Sequence, residues 1–141
     1  MSKTKEKGKH PFRVFVSYAM EDTFYAMELI NSLNQSPKLR VVTSDKISAG
    51  ENWSSKFKRK LSESDFFIIL LSPTSVNSKW LLFELGAAWG LKKNIVTVTT
   101  SPDVINKLPV SLSDYRVIDL DQLRNPIGLN QLIESYEATA A

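Results

Sequence analysis

The sequence contains no cysteine and a single histidine, His10. Disulfides, thiolate nucleophiles and cysteine-ligated metals are therefore excluded. His10 lies in a Lys-rich terminal stretch, which removes Ser-His-Asp and Cys-His catalysis and almost any zinc site. Glycine is sparse. Gly8, Gly50, Gly86, Gly90 and Gly128 are all there is, and their spacing builds neither a G-x-G-x-x-G turn nor a P-loop. Long apolar runs are also missing. The longest, Phe66 to Leu71, is far too short to span a bilayer, and no apolar stretch follows the basic N-terminus as it would in a signal peptide. A soluble, cytoplasmic protein without a membrane partner is expected.

What is present suits one domain. The chain has 141 residues, 43 % of them hydrophobic, enough for a single core. The net charge of +3 comes from the first ten residues, where Lys3, Lys5, Lys7 and Lys9 face only Glu6. The rest is formally neutral, which argues against a nucleic-acid partner. The run Lys56, Lys58, Arg59 and Lys60 reads as a solvated helix face.

Residues 1–11 read as a flexible basic tail, and 12–138 as the domain. Strands are expected at Arg13–Tyr18, Leu39–Thr43, Phe66–Leu71, Asn94–Thr99 and Arg116–Leu120. Helical patterns alternate with them. The first opens at Glu21-Asp22, with Phe24, Met27, Leu29, Ile30 and Leu33 as its apolar face. The second runs from about Trp53 to Ser62, with Trp53, Phe57 and Leu61 at four-residue spacing. The third follows Ser78, with Lys92-Lys93 placed to complement its dipole. A weak turn or short helix occupies 101–109, and a last helix, 121–137, is interrupted near Pro126–Gly128. This alternation implies an α/β fold: a flavodoxin-like, doubly wound, five-stranded parallel sheet. Its ligand crevice is expected at the carboxyl ends of the first and third strands, where the strand order reverses. A response-regulator reading fails there, because the first strand ends in Ser-Tyr and the third in Leu-Ser.

The helix after Ser78 is apolar almost all round, and between Trp80 and Leu91 its only charge is Glu84. Its neighbours three and four residues away are Trp80, Leu81, Ala87 and Ala88, so no basic residue shares its face. A carboxylate in these surroundings is costly unless something outside the helix needs it. Two readings stand at this level: Glu84 reaches water or a distant cation, or it serves the crevice. Ordinary glycosidases need two carboxyl groups, one of them to protonate the leaving alkoxide. A nicotinamide riboside bond carries a cationic leaving group that departs neutral, so one carboxylate suffices to stabilise or trap the oxocarbenium-like centre. Tyr18, Trp53 and Trp80 are aromatic candidates for stacking on a planar base, with core packing as the alternative for each.

Several segments, in order, carry a resemblance. They are Phe15-Val16-Ser17-Tyr18 with Glu21-Asp22; Asp45-x-Ile47-x-x-Gly50-x-x-Trp53; Ser64-Asp65-Phe66-Phe67-Ile68; and Leu71-Ser72-Pro73-x-Ser75-Val76-x-Ser78-x-Trp80-x-x-x-Glu84-Leu85-Gly86-Ala87-Ala88. Together they resemble a bacterial Toll/interleukin-1 receptor (TIR) domain of the NAD+-cleaving type. The resemblance implies an NAD+ glycohydrolase that releases nicotinamide and linear or cyclic ADP-ribose, with NAD+ as substrate and no cofactor or metal. It implies Glu84 as catalytic residue, and Ser17, Tyr18, Asp45, Lys46, Gly50, Trp53 and Trp80 around the substrate. It also implies partners: other TIR domains in a homo-oligomer or filament, and a fused or separate sensor. The animal receptors' Arg-Asp and Pro-Gly loop and late Phe-Trp box are missing, which favours a bacterial antiphage effector. The alternatives are a non-catalytic TIR scaffold that signals by homotypic assembly, and a nucleoside deoxyribosyltransferase-like enzyme.

Overall fold

Phe66–Leu71 forms the strand on which the molecule is built, and all six of its residues are buried. A continuous apolar run of this length is stable only with both faces covered, as in the centre of a parallel sheet. The computed structural model describes residues 10–44, 53–108 and 116–140. Its five strands are β1 (Phe12–Ser17), β2 (Leu39–Thr43), β3 (Phe66–Leu71), β4 (Asn94–Thr99) and β5 (Arg116–Asp119). They lie in the order β2-β1-β3-β4-β5, every pair parallel. This is the flavodoxin-like α/β arrangement expected from the sequence.

The helices are α1 (Thr23–Leu33), α2 (Trp53–Ser62), α3 (Lys79–Gly90), α4 (Leu120–Arg124) and α5 (Pro126–Ala140). Short 3-10 segments at Met20–Asp22 and Pro102–Lys107 complete the order. Side chains of successive strand residues point to opposite faces, so the sheet feeds two cores. On one face Val14, Ile68 and Val98 pack with Leu29 and Leu33 of α1 and with Leu123 and Leu132 of α4 and α5. Tyr136 stacks on Phe66 there at a ring separation of 3.7 Å. On the other face Phe15, Phe67 and Ile69 pack with Phe57 and Leu61 of α2 and with Leu81, Leu85 and Ala88 of α3.

Two local expectations are corrected, and the expected interruption of the last helix is located. The buried residues of α1 are Ala26, Leu29 and Leu33, while Phe24 and Met27 are exposed. Ala26 lets the helix backbone approach the sheet, and a ring at 24 then falls outside the contact. Lys93 does not serve its own helix; its ammonium donates to the carbonyls of Ser62 and Ser64, after α2. The final helix is two helices, with α4 capped by Asp119 in a box with Gln122 and the break at Asn125 before Pro126. No helix among the described residues is long and apolar enough to cross a membrane.

Two substitutions test this packing in opposite directions. A Cβ added at Gly128 would lie 1.9 Å from the backbone carbonyl oxygen of Gln122. Gly128→Ala is therefore expected to lose about 1–3 kcal/mol of stability in urea denaturation, despite alanine's better helix propensity. The buried Tyr136 hydroxyl has no hydrogen-bond partner among the described residues. Tyr136→Phe is expected to raise stability by about 1 kcal/mol in the same assay.

Candidate active site

The site is set by two elements that meet at the carboxyl end of the sheet. Ser17 is the last residue of β1 and is held in register beside Ile69 of β3. Glu84 lies at the middle of α3, whose position is fixed by the turn that follows β3. In that turn the Ser72 N–H donates to the Ser75 hydroxyl (2.9 Å) and the Ser75 N–H donates back to the Ser72 hydroxyl (3.1 Å). Ser78 then caps α3, its hydroxyl accepting from the Leu81 N–H at 3.3 Å. This reciprocal bonding leaves α3 little freedom to slide along the sheet.

Glu84 points inward and is fully buried, with 0 % exposure. The Ser17 hydroxyl donates to its Oε1. Its Oε2 has no hydrogen-bond partner among the described residues. Burial penalises the charged carboxylate and pushes the pKa up to about 7, against hydrogen bonding from Ser17 and, more weakly, Ser44, which favours the charged form. Glu84 is shielded from water, and among the described residues no cation pairs with it.

A cleft of about 640 Å³ opens beside this carboxyl group, lined by Tyr18, Ala19, Met20, Glu21, Thr23, Ser44, Ser78 and Trp80. Tyr18 and Trp80 thus stand on one cavity wall, as aromatic residues that flank a planar ring would. Ser17 and Glu84 are not part of that wall. They sit just inside it, behind Tyr18 and Ser44 and one helical turn beyond Trp80. Asp45, Lys46 and Gly50 lie outside the described residues, as does the side chain of Trp53, whose backbone opens α2.

Sequence reasoning missed Ser44, Ser78 and Glu21 as wall residues. The position of Ser44 was nonetheless readable: β2 ends at Thr43, level with Val16, so the next residue falls beside Ser17. Asp22, another buried carboxylate, closes the 3-10 turn next to the cleft, its N–H donating to the Ala19 carbonyl at 2.9 Å. No group of three or more His, Cys, Asp or Glu among the described residues is arranged to hold a metal ion.

The profile of the TIR domain family matches residues 14–133. Among solved structures, the TIR domains of the activated Roq1 resistosome, which recognises the pathogen effector XopQ, superpose with a TM-score of 0.56. That match has 24 % identity and covers 73 % of this chain and 67 % of that one. The TIR domain of the Toll-related receptor TRR-2 from Hydra magnipapillata gives a TM-score of 0.70 at 18 % identity, covering 88 % and 97 %. A TIR-STING receptor from C. gigas, in complex with 2',3'-cGAMP, gives 0.66 at 21 % identity, and this chain spans 40 % of its length. These likenesses show a shared fold. Among curated proteins no match is found.

The raised pKa of Glu84 makes stability depend on pH. The folded state holds a proton that the unfolded chain releases above the ordinary glutamate value of 4.5, so the contribution is complete below about pH 4.5 and lost by about pH 7. Relative to Glu84→Gln, the wild type should lose on the order of 3 kcal/mol between those limits. Urea denaturation of both proteins from pH 4 to 8 reads the difference.

Proposed function

The chain belongs to the TIR domain family, and on that premise we propose that it cleaves NAD+ at the nicotinamide–ribose bond. The observation that carries this reading is Glu84, a buried carboxylate with no counter-ion among the described residues, beside a cleft walled by Tyr18 and Trp80. As the bond from C1′ to the pyridinium nitrogen breaks, its electron pair returns to the ring and nicotinamide leaves neutral. No general acid is required. Positive charge develops on C1′ and the ribose ring oxygen, and a carboxylate in a poorly solvated setting stabilises that charge far more strongly than one in water. Water then attacks C1′ and loses a proton to solvent, giving linear ADP-ribose; attack by a nucleophile of the substrate itself gives a cyclic product.

Glu84 does this work only when ionised, so the rate should climb as pH rises through about 7 and level off above it. The present conformation seals Glu84 from the cleft, so cleavage requires a rearrangement that admits the sugar. Self-assembly is the trigger that fits. Leu82 and Trp89 are exposed on the side of α3 opposite Glu84, with Phe83 exposed on its flank, where a second copy would couple directly to the carboxylate's helix. The resistosome neighbour is a multi-chain assembly by its description, which supports the same direction. In this reading the protein is an effector of bacterial antiphage defence, acting in the cytoplasm under a fused or separate sensor.

A second reading draws on one observation. The complete burial of Glu84 also suits a non-catalytic scaffold in which the carboxyl group merely persists. Nicotinamide release from NAD+ by protein clustered on beads separates the two. The wild type should release nicotinamide, Glu84→Gln at least about 100-fold less, and Trp80→Ala an intermediate amount. No release by the clustered wild type would favour the scaffold, and equal release by wild type and Glu84→Gln would remove Glu84 from the reaction.

A further inference from the structure

We propose that Ser17 is the positioning residue of this site, anchoring Glu84 Oε1 so that Oε2 is the oxygen that meets the ribosyl C1′. The inference rests on the cleavage reading and adds a division of labour within one carboxyl group. Oε1 accepts the Ser17 hydroxyl, whereas Oε2 is buried with no partner among the described residues. A hydrogen bond to one oxygen restricts the carboxyl group's turning about its last bond, so one oxygen is held by Ser17 while the other stays unengaged before substrate arrives. Preorganisation of this kind lowers a barrier because no dipole has to reorient during the reaction.

The anchor is itself rigid. Ser17 ends β1, which is hydrogen-bonded between β2 and β3, and the residue is 1 % exposed. Its hydroxyl is committed to Glu84 Oε1, so it acts through that carboxyl group. This departs from the role the family resemblance implied, in which Ser17 shapes the substrate pocket. Ser44 reaches the same carboxyl group more weakly, which makes Ser17 the principal donor.

The anchor also selects the protonation state. A hydroxyl that donates to a carboxylate favours the charged form, so its removal leaves burial less opposed and raises the titration midpoint. Among the described residues the titratable groups on the surrounding elements are Tyr18 after β1, Glu21 and Asp22 in the 3-10 turn, Lys56, Lys58, Arg59 and Lys60 on α2, and Lys79 on α3 itself. None of them contributes to the Glu84 shift, whose causes are burial and the two hydroxyls.

The test combines a carbon-13 NMR titration of the Glu84 carboxyl carbon, assigned with Glu84→Gln, with kcat, KM and pH profiles of nicotinamide release by clustered protein. Ser17→Ala should move both the carboxyl midpoint and the acid limb upward by about one pH unit. It should lower kcat about tenfold at pH 7 while KM stays within about twofold, since Ser17 acts through Glu84. Ser17→Thr, which keeps the hydroxyl, should restore the midpoint. Ser17→Cys, nearly isosteric but a weak donor, should fall between and serves if the alanine variant does not fold. An unchanged midpoint, or a lost KM with kcat preserved, overturns the proposal. A shifted midpoint in a protein that releases no nicotinamide overturns the cleavage reading while upholding the anchor.

Discussion

A carboxyl group taken out of water is the constraint on which this structure turns. Among the described residues Glu84 has the Ser17 hydroxyl as its close partner and a weaker contribution from Ser44. Charge buried in this way is expensive, and the group responds by shifting its titration into the neutral range. Stability alone gives no reason to keep such a residue. An apolar side chain in its place would pack against Leu81, Leu85 and Ala88 without the desolvation cost. The proposed cleavage would supply a reason: a cationic leaving group needs one negative charge, well placed and poorly solvated.

Everything nearby serves to hold that placement. The strand order reverses between β1 and β3, so their carboxyl ends separate the connections above and below the sheet and leave a crevice. Ser17 rides on β1 and Glu84 on the helix after β3, so the pair spans the reversal point. Stacked and edge-on aromatic contacts of Phe15 with Phe67 and Phe57 stiffen the sheet and α2 beneath it. The Ser72–Ser75 exchange and the Ser78 cap fix where α3 begins. A displacement of α3 by a fraction of a turn would break the Ser17 bond, so the precision of the site is inherited from packing far from it.

Much of this was legible in the sequence, and for physical reasons. Phe66–Leu71 announces a strand covered on both faces, and its neighbours alternate with helical periods in a way that only a parallel sheet accommodates. Glu84 stood out because charge is rare in an apolar helix. What stayed hidden depended on long-range contact. Nothing local to Ser17 says that it will meet a side chain 67 residues away. Phe24 and Met27 misled because helix periodicity offers overlapping faces, and the smaller Ala26 lies on the one that meets the sheet. The apolar ring of α3 does not show in sequence which side is covered; the structure divides it, with Leu81, Leu85 and Ala88 inside and Leu82, Phe83 and Trp89 outside.

The central claim is that the ionisation of this one buried carboxylate governs NAD+ cleavage. The most direct measurement overlays two curves from the wild-type protein: the carbon-13 titration of the Glu84 carboxyl group and the pH dependence of nicotinamide release by clustered protein. The account predicts that both have midpoints near 7, with cleavage rising as the carboxyl group loses its proton. A carboxyl midpoint at the ordinary glutamate value near 4.5, or cleavage that is level across the titration, would contradict it.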